Sequence, residues 1–151
     1  MTTIHLITKI NAPIETVFNN ARDIGVHIET ASKTNEKAIA GITSGLIELN
    51  ETVTWEGKHF GLILHHQSKI TEMKFPNYFT DEMVEGCFKK FKHEHTFTHE
   101  NGITIMEDKL MYETPFGIFG KLFDKLALKK HLTNFLLERN QSLKILSENQ
   151  Q

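Results

Sequence analysis

Residues 117–147, GIFGKLFDKLALKKHLTNFLLERNQSLKILS, decide what the rest of the chain has to build. From Phe119 onward apolar residues return at helical spacing: Phe119, Leu122, Phe123, Leu126, Leu132, Phe135, Leu136, Leu143 and Leu146. A three-or-four period held over that length predicts one long helix with a single apolar stripe. Lys121, Lys125 and Lys129 step down another face at intervals of four, where water can solvate them. Such a helix is unstable with its stripe in water, so the preceding residues must supply a surface that receives it.

That surface is predicted to be β-sheet. From Lys37 to Tyr112 the hydrophobic period is mostly two, interrupted by turn residues. Strands are expected near Ala38–Ile42, Glu51–His59, Leu62–Met73, Asn77–Glu85, Phe88–His99 and Ile103–Tyr112. The last break, Glu100-Asn101-Gly102, carries an Asn-Gly hairpin signal. Upstream, Thr3–Asn11 reads as a first strand, stopped by Ala12-Pro13. Proline suits a helix's first turn, and Glu15 complements the dipole there. Ile14, Val17, Phe18 and Ala21 give a first short helix its apolar face; Ile24, His27, Ile28 and Ala31 do so for a second, begun at Asp23. Ser32–Glu36 reads as a loop. The expected architecture is α+β, a curved antiparallel sheet of about seven strands wrapped round a C-terminal helix.

Bulk properties narrow the class. A chain of 151 residues suits one domain, 1–151. A formal charge of −2 argues against nucleic acid as the main partner, since phosphate affinity needs a basic excess. Cys87 is the single cysteine, which rules out an internal disulfide and reads as a packed thiol. No leader pattern stands at the start and no apolar run approaches the roughly 18 residues of a bilayer span, so a cytoplasmic protein without membrane insertion is expected. Glu148–Gln151 reads as a frayed end.

Several strings resemble the START / polyketide-cyclase / birch-pollen-allergen (SRPBCC) superfamily, in particular its small bacterial ligand-binding, polyketide-cyclase-like branch. They are Ile10-Asn11-Ala12-Pro13 with Val17-Phe18, Gly41-Ile42-Thr43-Ser44-Gly45-Leu46, and Val53-Thr54-Trp55 with His59-Phe60-Gly61. Ile70-Thr71-Glu72, Phe79-Thr80-Asp81-Glu82-Met83, His93-Glu94-His95-Thr96-Phe97 and the run from Tyr112 to Gly120 complete the set. Gly86-Cys87 departs from the branch, which more often has Gly-Pro there. The resemblance implies the helix-grip fold and a hydrophobic cavity between sheet and helix, used without a cofactor. It covers lipid carriers and cyclases alike, and some members carry stress or cell-division labels, so fold by itself leaves function open.

Strand parity sorts the candidates. Phe91, His93, His95 and Phe97 share one face, opposite Lys90, Lys92 and Glu94. Phe79, Asp81 and Met83 face in by the same rule, as do Val53, Trp55 and His59. Met106, Asp108, Leu110 and Tyr112 form a set opposite Glu107 and Lys109. Carboxylates and imidazoles on an inner face cost several kcal/mol each unless paired, and pairing moves their pKa values. The expected ligand-binding residues are therefore Trp55, His59, Phe79, Asp81, Phe91, His93, His95, Phe97, Asp108 and Tyr112. The ligand would be a hydrophobic or aromatic small molecule, entering past Ser32–Glu36 and the Phe60-Gly61 turn. A purely structural His–Asp network is the alternative. If a reaction occurs, His95 and Asp108 are the catalytic candidates, moving protons in a cofactor-free ring closure or dehydration. His93-x-His95 with Asp108 or His59 also has metal-ligand spacing, but spacing alone supports it and no metal is expected. The parity of His65 and His66 depends on a bulge expected near Thr71–Met73. Oligomeric state is left open, a homodimer included.

Overall fold

The computed structural model describes residues 1–150. Strand β1 (Thr2–Ile10) leads into helices α1 (Ile14–Arg22) and α2 (Ile24–Thr30), then a 3-10 turn at Ser32–Thr34. Six strands follow: β2 (Lys37–Gly41), β3 (Thr52–His59), β4 (Leu62–Lys74), β5 (Tyr78–Glu85), β6 (Lys90–Glu100) and β7 (Ile103–Glu113). They form one seven-stranded sheet in the order β1-β7-β6-β5-β4-β3-β2, with every pairing antiparallel. Each strand falls within about two residues of where alternation placed it.

Local chemistry explains the joints. Pro13 precedes α1 with its φ at −59°, and Glu15 and Arg22 complement the helix dipole at either end. Asp23 caps α2 by accepting a hydrogen bond from the Val26 N–H at 3.1 Å. Asn101 and Gly102 both take positive φ, 51° and 79°, as the hairpin signal requires. Thr71 is the extra residue where the β4–β5 register slips between Ile70 and Glu72. A second slip between Gln67 and Ser68 leaves Val84 unpaired on β5. β3 and β4 pair without interruption, which sets Trp55 opposite His66 and Glu56 opposite His65.

The C-terminal helix departs from its expected form. It comprises α3 (Gly117–Phe123), a π turn (Asp124–Leu128) and α4 (Lys129–Asn149). The first half of the predicted stripe is exposed: Phe119 by 77%, Leu122 by 55%, Phe123 by 45% and Leu126 by 72%. In the π turn the Lys129 N–H reaches back five residues to the Asp124 carbonyl, which adds one residue to the turn. One extra residue rotates all that follows by roughly 100°. The covered face beyond it runs through Leu128, Leu132, Leu136 and Leu143. Asp124 itself is buried and accepts hydrogen bonds from the Tyr112 hydroxyl at 2.5 Å and from Thr2, which ties the turn to the sheet.

Two further expectations are corrected. Glu148 is helical and accepts a hydrogen bond from the Asn11 N–H at 2.9 Å, so the end is anchored to the turn that follows the first strand; Gln151 lies outside the described residues. Cys87 is exposed in the turn between β5 and β6. Among the described residues no helix is long and apolar enough to cross a membrane.

The apolar interior is split in two. One cluster surrounds Phe18, whose ring meets those of Phe75, Phe79 and Phe97 edge-on at 5.2, 5.3 and 5.2 Å. The other joins Ile4, Leu110 and Tyr112 to Leu128, Leu132 and Leu136 of the terminal helix. Gly120 closes the entry to that helix, because a Cβ there would stand 1.8 Å from the Pro115 carbonyl oxygen. Gly120→Ala is therefore expected to lower stability by roughly 1–3 kcal/mol, read from chemical denaturation. A variant as stable as the parent would show that α3 carries no such constraint.

Candidate functional site

Between the two clusters lies a cavity of about 790 Å³, within the range of small-molecule sites. Seven of the residues expected to bind ligand line it: Trp55, His59, Phe79, Asp81, Phe91, His93 and His95. Phe97, Asp108 and Tyr112 face the same way but do not reach it. Phe97 is packed into the Phe18 cluster, and Tyr112 is held on Asp124. Asp108 is fully buried behind the histidines. Parity gave their direction; their depth is set by the partners that enclose them.

Cross-strand register assembles the polar centre. Asp81 on β5 stands opposite His93 on β6, and His95 stands opposite Asp108 on β7. His93 Nε2 pairs with Asp108 Oδ1 at 3.0 Å, and His95 Nε2 pairs with Asp81 Oδ2 at 3.2 Å. His95 Nδ1 lies 2.9 Å from the same Asp108 Oδ1, an ion-pair contact whose angle falls outside hydrogen-bond geometry. From the helix, Asn140 Nδ2 donates to Asp108 Oδ2 at 2.7 Å. The Phe79 ring stacks on His95 at 4.3 Å and fixes its plane.

These contacts move the two imidazoles apart. Burial alone would depress His95, but the Asp108 and Asp81 carboxylates outweigh it and hold the ring above its ordinary value of 6.5. Burial depresses His93 as well; there the charge of His95 adds to it and overrides Asp108, so His93 is kept below 6.5. Burial would raise both carboxyls, yet the histidines hold Asp81 below its ordinary range and Asp108 well below it. Two neighbouring imidazoles whose surroundings push them in opposite directions form an arrangement suited to holding or moving a proton.

A second polar group lines the cavity, of which only His59 was expected as a ligand-binding residue. His27 Nε2 pairs with Glu36 Oε2 at 2.6 Å, while His59 Nε2 lies 3.7 Å from Glu36 Oε1. His59 Nδ1 contacts His131 Nε2 at 2.9 Å. Burial would raise Glu36, but the hydrogen bonds from His27 and His59 win and bring it to about 2. Trp55 stacks on His27 with centroids 4.1 Å apart. Phe60 meets Phe123 and His131 at 5.2 and 4.5 Å, so the Phe60-Gly61 turn packs against the terminal helix at the edge of the cavity. Of the Ser32–Glu36 loop only Glu36 lines it.

The parity left open between His65 and His66 is decided by the β3–β4 register. His66 turns in against Phe91 at 4.8 Å, and burial holds it below 6.5; His65 turns out and pairs with Glu56. Three residues of the terminal helix also escaped notice: His131, Arg139 and Asn140. All three sit at helical spacing from the covered leucines, so the period could have found them; Glu36 in its polar loop left no signal. Arg139 is buried, lines the cavity and donates from Nη2 to the Ala21 carbonyl at 3.1 Å.

Asp81, His93 and His95 each bring one donor atom within 4.8 Å of the other two. A small divalent cation could be held there, with Asp81 as the third ligand. Asp108 and His59, the third ligands considered from spacing, face other partners: Asp108 lies behind the rings and His59 stands with Glu36 and His131.

No protein-family model matches the sequence, and no curated protein matches it. Solved structures do. Over 97% of this chain and 99% of its own, TTHA0849 from Thermus thermophilus is similar with 20% identity and a TM-score of 0.75. A START superfamily protein from Mycobacterium smegmatis matches 99% of both chains with 13% identity and a TM-score of 0.73. Ginseng major latex-like protein 151 from Panax ginseng matches 97% of both with 14% identity and a TM-score of 0.70. The chain therefore shares the helix-grip fold of these structures, the fold its sequence strings implied.

Asp108→Asn is expected to destabilise the protein by about 3–5 kcal/mol near pH 6, because it leaves buried groups without their counter-charge. The raised His95 contributes stability that is complete below 6.5 and fades as pH rises through its folded value. An NMR titration should accordingly find His95 above 6.5 in the parent and lower in Asp108→Asn. Identical His95 titration in both proteins would contradict the assigned coupling.

Proposed function

We propose that this protein binds a hydrophobic or aromatic small molecule carrying at least one polar group, held between sheet and terminal helix. The observation that carries the reading is the 790 Å³ cavity where a solid core would otherwise be, lined by both aromatic rings and paired charges. Phe79, Phe91 and Trp55 offer apolar surface; Asp81, His93 and His95 offer hydrogen-bonding groups to the ligand's polar end. Lipid- or polyketide-like molecules fit that description, and the likeness to START proteins agrees with it without deciding it. The cavity's lining continues onto the exposed Phe116 and Phe119 of the helix, which gives an apolar ligand a path from outside.

A second reading is catalysis. It is favoured by the opposite displacement of His93 and His95 on the cavity wall, the first lowered by burial and the charge of His95, the second raised by Asp108 and Asp81. That pair could remove a proton from a carbon acid and return one to an oxygen, as a cofactor-free cyclisation or dehydration needs. His95 would be the acid, with Asp108 as its positioning partner. The further reading as a stress or cell-division interaction protein has no observation in its favour.

Native mass spectrometry of the purified protein should show a mass excess that disappears on denaturation, or one that returns on adding apolar probes. A protein that is empty and takes up none of them would sink the binding reading. Under the catalytic reading, a bell-shaped pH–rate profile is expected that His95→Gln abolishes. Under simple binding the same variant changes affinity with no turnover to lose.

A further inference from the structure

Of the two arginines on the cavity wall, Arg22 and Arg139, only Arg139 lacks a counter-charge among the described residues. Its side chain projects from α4 between Leu136 and Leu143, and the residue is only 4% exposed. Guanidinium offers five N–H donors. One is used, from Nη2 to the Ala21 carbonyl, and Nε has no partner. Among the described residues no carboxylate lies within 4.0 Å of it.

Each carboxylate near the cavity is already engaged elsewhere. Glu36 is held by His27 and His59, Asp81 by His95, and Asp108 by His93 and Asn140. Asp23 caps α2. The neighbouring Arg22, by contrast, is matched by Glu48 at 2.7 Å. A buried cation that keeps its charge needs an anion, and the space open to this one is the cavity itself.

We infer that Arg139 anchors the anionic end of the cavity's ligand, and that this end is a carboxylate on an otherwise apolar molecule. Arg139 lines the cavity, and a guanidinium forms charge-assisted, planar hydrogen bonds with a carboxylate. A single arginine suits a single negative charge. Asp81 and Glu36 on the same wall disfavour a phosphate, whose second charge would meet their repulsion. Apolar surface from Ile24, Ile47, Phe79 and Leu136 would take the body of the ligand. This inference rests on the binding reading above and adds the chemical class of the ligand to it.

Two probes of equal chain length test it: decanoate, which is charged at pH 7.5, and 1-decanol, which is not. Trp55 lines the cavity and reports binding by its fluorescence. The full chain should bind decanoate at least about tenfold tighter than decanol, the size of one charge-assisted contact. Arg139→Gln should bring the two to near parity by weakening decanoate and leaving decanol unchanged. Arg139→Lys, which keeps the charge and loses the fork, should retain part of the preference. Equal affinity for the two probes in the parent, or an undiminished preference in Arg139→Gln, overturns the anchor and leaves the cavity reading standing. Binding of neither probe overturns both. Should Arg139→Gln fail to fold, the parent's ratio and Arg139→Lys decide the matter.

Discussion

The Asp108 carboxylate is fully buried, and much of the structure around it exists in a form that keeps it charged. Two imidazoles of β6 approach one oxygen, and a helix amide donates to the other. An ionised carboxyl in that position is costly unless nearly all its lone pairs are used. Meeting that demand requires β6, β7 and α4 to hold a fixed mutual position, because Asn140 comes from the helix and the histidines from the sheet. The same set of contacts orients His95 toward Asp81, and so toward the cavity. Stability and the chemistry of the wall thus share one interaction.

The cavity has a structural cost that the two flanking clusters offset. Phe18 gathers three aromatic rings at one end, and the terminal leucines close on Tyr112 at the other. Neither cluster fills the middle, where charged groups sit in place of hydrocarbon. Histidines dominate this region: His27, His59, His66, His93, His95 and His131 all line it. Their environments differ, since His95 lies between carboxylates, whereas His66, His93 and His131 are pushed down by burial. A wall built this way offers donors, acceptors and charge within a short span.

The π turn connects this arrangement to the outside. By rotating α4 relative to α3, it turns Leu128, Leu132 and Leu136 onto the sheet and leaves Phe119, Leu122 and Leu126 in solvent. Asp124 holds the junction through Tyr112 and Thr2. The stripe Phe119, Leu122, Phe123 and Leu126 would continue at positions 129 and 130, where lysines stand, while the covered leucines begin at Leu128 in a different phase. That gap was visible in the sequence as a break in phase, although the direction of the rotation was not.

Alternation of side chains along a strand is a property of the backbone, so the amino-acid order alone determined the strands, the hairpin at Asn101-Gly102 and the inward parity of Asp81, His93, His95 and Asp108. It likewise determined that a helix must cover them. Depth, partners and phase belong to the tertiary structure. Packing on Phe18 kept Phe97 out of the cavity, and the contacts of His93, His95 and Asn140 enclose Asp108 behind it; β3–β4 register turned His66 in and His65 out. Glu36 and His131, remote in the chain, meet His59 because the sheet brings β3 beneath the helix. Arg139 stayed hidden among leucines, since a missing counter-charge can be recognised only when every neighbour in space is known.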